Sequence, residues 1–167
     1  MTGSSTASAG GLPATVVVAS NRAAAGVYED TTGPLIVSFL TELGFVVGAP
    51  VVVPDGEPVG EAIAAAIAAG ARAVLTTGGT GLTPTDRTPE ATRPLLDREV
   101  PGIADAIRAY GVAAGVPTAM LSRGLAGVAG RTLVVNLPGS RGGVKDGLEV
   151  LRPVLVHAVE QIVGSDH

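Results

Sequence analysis

Residues 75–90, Leu-Thr-Thr-Gly-Gly-Thr-Gly-Leu-Thr-Pro-Thr-Asp-Arg-Thr-Pro-Glu, constrain this chain more than any other stretch. An apolar strand over 73–76 runs into a loop of glycine and threonine, and the loop ends at a marked helix start. Thr88 offers an N-cap hydroxyl, Pro89 suits the first helical position, and Glu90 suits the positive end of the helix dipole. Small residues free backbone N–H groups beside a helix N-terminus, which makes a seat for an anion. Asp86 lies inside that seat, where a carboxylate opposes phosphate unless a cation comes between them. A phosphate-bearing ligand accompanied by a metal ion is the first expectation.

The rest of the chain alternates strands and helices. Strands are predicted over 14–19, 45–53 (with an edge or bulge at Gly48 and Pro50), 73–76 and 131–136. Helices are predicted over 34–43 (stopped by Gly44), 57–69 (closed by Gly70), 88–97, 103–113 and 144–163, the last interrupted or kinked at Pro153. Such alternation specifies a mostly parallel sheet covered on both faces, a three-layer α/β/α sandwich. Residues 1–13 are small and polar and read as a flexible tail, leaving 14–164 as a single domain.

Composition removes several classes. A hydrophobic share of 46% excludes a disordered chain, and an aromatic share of 2% means the core is built from Ala, Val, Leu and Ile. With a net charge of −4, no basic cluster and few rings to stack on, nucleic acid is not an expected partner. The absence of cysteine fits a cytoplasmic protein and removes thiolate metal sites. His157 and His167 stand too far apart for a local zinc pair. Apolar runs such as 62–69 fall well short of the roughly 20 residues that span a bilayer.

In open α/β sheets, ligands bind beyond the carboxyl ends of the strands. Here those ends carry Ser20-Asn21-Arg22, Pro54-Asp55-Gly56-Glu57, the glycine loop, and Asn136-Leu137-Pro138-Gly139-Ser140. Read singly, each has an ordinary structural meaning: Asp55 as a helix cap, Asp86 as a turn residue, the glycines as a tight turn. The P-loop, dinucleotide and hydrolase-elbow patterns are all absent.

From Thr76-Thr77-Gly78-Gly79-Thr80-Gly81 through Asp86-Arg87-Thr88-Pro89-Glu90, the chain resembles the Mog/MoaB molybdenum-cofactor biosynthesis proteins. The likeness continues through Asp97-Arg98-Glu99-Val100-Pro101-Gly102, Leu121-Ser122-Arg123 and Leu137-Pro138-Gly139-Ser140. It implies a molybdopterin-binding domain and molybdopterin adenylyltransferase activity, with ATP and molybdopterin as substrates and Mg²⁺ as cofactor. The alternative within the family is a MoaB-like pterin-binding scaffold without efficient transfer. Carried over by motif, Asp55 and Asp86 are the catalytic and metal-holding pair. Thr77, Gly78, Gly79, Thr80, Gly81 and Thr88 form the phosphate loop, and Ser20, Glu99, Pro138, Gly139 and Ser140 shape the pterin pocket. A homotrimer or hexamer, in transient contact with a molybdenum-insertion protein, is also implied. Two departures stand out: Asn21 replaces the aspartate of many relatives, and Arg87 is the nearest cation to a loop that carries arginines elsewhere in the family.

Overall fold

The computed structural model describes residues 7–164. Seven strands form one sheet: β1 (Pro13–Ala19), β2 (Val46–Val47), β3 (Val51–Val53), β4 (Ala73–Thr77), β5 (Arg98–Glu99), β6 (Ala126–Ala129) and β7 (Thr132–Leu137). The order is β2-β1-β4-β7-β6-β5, with β3 also paired to β1. Pairing is parallel from β2 and β3 through β1 and β4 to β7, and antiparallel from β7 through β6 to β5.

Alternation along the central strands sorts side chains onto two faces. Val16, Val18, Leu75, Leu133, Val135 and Leu137 pack with α2 (Thr32–Glu42), α6 (Arg141–Leu151) and α7 (Leu155–Ile162) through Ile36, Leu40, Val144, Leu151 and Leu155. Ile107 of α5 (Pro101–Ala113) joins that cluster. Val17, Ala19, Val74 and Val134 point the other way, onto Val59, Ile63 and Ala66 of α3 (Glu57–Ala68). Two short helices, α1 (Asn21–Ala24) and α4 (Thr88–Thr92), sit just beyond the ends of β1 and the glycine loop. The three-layer, mostly parallel α/β fold is thus observed. No helix among the described residues is long and apolar enough to cross a membrane.

Several elements differ from the sequence prediction. The strand over 45–53 is two short strands, because Gly48-Ala49-Pro50 interrupts pairing with β1. The helix over 88–97 is α4 followed by a 3₁₀ turn, Arg93–Leu95, with Pro94 in it, and then the edge strand β5. The C-terminal helix, by contrast, is interrupted at Pro153 as expected, into α6 and α7. Strand β6, Ala-Gly-Val-Ala, has too little β-branched bulk to be read from sequence. Of the expected tail, residues 1–6 lie outside the described residues. From Ala9 onward the chain is tied down: the Ala9 amide donates to Leu43 O at 2.6 Å and the Gly11 amide to Gly44 O at 2.8 Å. Ala9 is buried, and Pro13 already belongs to β1.

A candidate anion and metal site at the strand ends

Parallel strands β1 and β4 lie side by side, and the chain leaves them toward opposite edges of the sheet, so the loops after them face a switch point. The glycine loop follows β4. Gly78 and Gly79 have φ of +89° and +68°, a region that side chains with a Cβ avoid. Each carbonyl of the loop has a donor. Gly78 O accepts the Thr88 hydroxyl at 2.9 Å, and Gly79 O the Thr88 amide at 3.0 Å. Thr80 O accepts the Arg123 amide at 2.8 Å, and Gly81 O the Arg123 Nε at 2.9 Å. The amides of Gly79, Thr80 and Gly81, by contrast, meet no acceptor among the described residues. The result is a run of donors without partners.

Thr88 therefore does not cap α4 as predicted. Arg87 holds the N-cap position without a side-chain bond, and the Thr88 hydroxyl is spent on the loop.

Both acidic residues stand against this loop. A Cβ placed on Gly79 would lie 2.8 Å from Asp55 Oδ1, and one on Gly81 would lie 2.7 Å from Asp86 Oδ2. Asp55 and Asp86 thus flank glycines two positions apart. The helix-cap meaning of Asp55 is excluded, since Gly56 occupies the N-cap of α3 with no side-chain bond. Instead Asp55 Oδ1 is buried without a partner, and the Asp55 amide donates to Asn21 Oδ1 at 2.9 Å. Burial, and then the charge of Asp86, raise its pKa above the ordinary 3.8. Asp86 closes a local turn as well, its Oδ2 accepting the Thr83 amide at 3.0 Å.

An orphaned buried carboxylate oxygen beside a second carboxylate suits a hard cation. Among the described residues no group of three or more His, Cys, Asp or Glu forms a metal cage. Mg²⁺ is commonly held by one or two carboxylates plus substrate phosphates, so this pair fits that ion when a phosphate ligand completes the shell.

Two hollows open on the loop. The larger, about 560 Å³, is walled by Gly79, Thr80, Gly81, Asp86 and Lys145 among others. The smaller, about 350 Å³, is walled by Ser20, Tyr28, Thr77 and Gly78. Gly139 and Ser140 line both. Thr77 ties the two strand ends together by donating its hydroxyl to Pro138 O at 2.7 Å. The Ser20 and Ser140 hydroxyls accept the amides of Ala23 and Gly143 at 3.1 and 3.0 Å, capping α1 and α6. Behind the loop, buried Asn136 donates to Thr76 Oγ1 (3.0 Å) and Thr92 Oγ1 (3.1 Å), and accepts the Leu125 amide (3.0 Å).

Glu99 is not brought to this site. It lies on β5 at the outer sheet edge, exposed and paired with Arg93 at 2.6 Å, beside a separate hollow near Ile103 and Gln161. Arg123, which carried no assigned role in the sequence, is central instead. Its only signal there was its place in the Leu-Ser-Arg element.

The fold and its strand ends define a three-layer α/β domain whose switch point presents, among the described residues, loop amides without acceptors beside two carboxylates. The chain belongs to the probable molybdopterin binding domain family, which matches residues 15–157, and within it to the Mog/MoaB molybdenum-cofactor biosynthesis proteins. It is 43% identical over 158 residues to a molybdenum cofactor biosynthesis bifunctional protein of Synechococcus elongatus, covering 94% of this chain and 49% of that one. The chain thus spans about half the length of that relative. It is 35% identical to a molybdopterin adenylyltransferase of Helicobacter pylori, with 90% of this chain and 87% of that one covered. The solved Mog protein of Mycobacterium ulcerans superposes with a TM-score of 0.86 at 53% identity, over 90% of this chain and 99% of that one.

Proposed function

We propose that this protein transfers AMP from ATP to molybdopterin, releasing pyrophosphate. The observation that carries the reading is the set of three unpaired loop amides held between Asp55 and Asp86. Relatives named molybdopterin adenylyltransferase in Helicobacter pylori and Pyrococcus furiosus support it. In the reaction, an oxygen of the pterin's terminal phosphate attacks the α-phosphorus of ATP. The bond from that phosphorus to the β-phosphate oxygen breaks, and its electron pair leaves with pyrophosphate.

Charge accumulates on the phosphoryl oxygens as this happens. The amides of Gly79, Thr80 and Gly81 are preorganised donors for those oxygens and need no reorientation. Asp55 and Asp86 would hold Mg²⁺, which when bound neutralises phosphate charge. The two hollows share Gly139 and Ser140, an arrangement that suits two substrates whose reacting phosphates meet where they join. The same reading carries a homotrimer, checked by sedimentation equilibrium at micromolar concentration.

The test is incubation with molybdopterin, Mg²⁺ and α-labelled ATP. Label moves to the pterin in the wild type, and Asp86→Ala lowers turnover by about 10²–10³-fold while pterin affinity changes little, because the lost interaction acts mainly on developing charge. Tight pterin binding with no transfer at any Mg²⁺ concentration selects the binding-only protein instead.

A further inference from the structure

A loop of glycine and threonine has no bulky side chain to hold its peptide planes. Glycine tolerates both signs of φ, so a peptide here can turn over at small steric cost and exchange an inward N–H for an inward C=O. A carbonyl pointing at a triphosphate repels it. The direction of these peptides therefore has to be set from outside the loop.

In the first half of the loop Thr88, next along the chain, does this through its hydroxyl and amide. In the second half everything comes from Arg123, more than forty residues away. Its amide takes Thr80 O and its Nε takes Gly81 O. Its Nη2 takes Asp86 O at 2.9 Å, so the same guanidinium also holds the backbone of the metal-site carboxylate. Its Nη1 lies 2.9 Å from both Glu90 oxygens. Each of the three guanidinium nitrogens is engaged by protein, and its charge is answered by Glu90 on α4. Arg123 thus serves the loop as a planar brace, a task suited to guanidinium geometry and not to ammonium.

We propose that Arg123, anchored by Glu90, is a positioning residue that fixes the direction of the glycine-loop peptides and the seat of Asp86, without itself touching phosphate. The proposal rests on the loop being the phosphate seat of adenylyl transfer, and it adds a determinant of that seat.

The experiment compares wild type with Arg123→Lys, Glu90→Gln and the charge swap Glu90→Arg with Arg123→Glu. Label transfer is measured alongside amide NMR shifts of Gly79 and Gly81 during titration with magnesium pyrophosphate. Arg123→Lys is expected to lower kcat by about a hundredfold, the order of loss when reacting groups are misplaced by an ångström, with little change in the KM for molybdopterin. The swap restores an ion pair but sets an acceptor against two carbonyls, so it is expected to remain as poor as Arg123→Lys. The amide shifts on pyrophosphate are expected to weaken in both. If the swap recovers wild-type turnover, Arg123 serves only as half of a salt bridge and the proposal is overturned. Arg123→Lys turnover within about threefold of wild type overturns it as well. Should the swap fail to fold, Glu90→Gln decides: a loss of pyrophosphate-induced shifts supports the brace, and wild-type shifts refute it. If the wild type moves no label yet its loop amides answer pyrophosphate in an Arg123-dependent way, the transferase reading fails while the brace stands.

Discussion

Asn21 and Asp55 meet across 34 positions of chain, with the Asn21 side-chain oxygen accepting the Asp55 amide proton at 2.9 Å. The bond joins the start of α1 to the loop after β3. It assigns Asn21 to holding the backbone of Asp55. Asn21→Ala is expected to cost about 0.5–1.5 kcal/mol in chemical denaturation and to lower adenylyl transfer, whereas Asn21→Asp keeps the acceptor and holds stability near wild type. A stable Asn21→Ala protein with full turnover would show the bond to be idle.

Asp55 makes the site costly to maintain. Burial and the neighbouring Asp86 raise its folded pKa above the ordinary 3.8. For a carboxyl raised in the folded state, the native form binds the proton more tightly than the unfolded chain does. Its contribution to stability is complete below 3.8 and disappears as pH climbs through the raised folded value. Asp55→Asn is therefore expected to melt at a higher temperature than wild type at pH 7, with the gap closing as the pH is lowered toward 4. Transfer activity is lost in the same variant. Melting curves across that pH range check the sign, and a gap that widens in acid would contradict it.

Gly79 is irreplaceable for two reasons at once. Its φ of +68° strains any other residue, and an added Cβ would collide with the Thr88 hydroxyl and crowd Asp55 Oδ1. Gly79→Ala is expected to cost about 1–3 kcal/mol from backbone strain and to abolish magnesium-pyrophosphate binding, measured by denaturation and calorimetry.

Asn136 is a structural hub. Its side chain satisfies Thr76, Thr92 and the Leu125 amide in a fully buried setting. Asn136→Leu strands those groups and is expected to destabilise the protein by about 3 kcal/mol or more, read by urea denaturation. Residual turnover per folded molecule should stay near wild type at low temperature.

Short-range pattern accounts for much of what was legible in the sequence. Val16-Val17-Val18 announced a strand buried on both faces, Gly44 and Gly70 marked helix ends, and the run of residues 75–90 announced a strand, a glycine loop and a helix start. Asp55 and Asp86, singled out by the family resemblance, both lie against the glycine loop. The roles of individual polar atoms were less visible. Thr88 had the local look of an N-cap but gives its hydroxyl to the part-buried Gly78 carbonyl, which would otherwise lack a donor. Glu99 lay in a family-like motif, yet antiparallel pairing of β5 with β6 carries it to the sheet edge.

By itself, then, the chain's residue order determined the layers and the parallel centre, which follow from spacing within about twenty residues. Only the folded arrangement decided that Asn21 steadies Asp55, that Ala9 is pinned beside Leu43, and that Arg123 orients a loop some forty residues earlier. Those partners are brought together by the sheet, and a hydrogen bond across such a separation leaves no periodic trace in sequence.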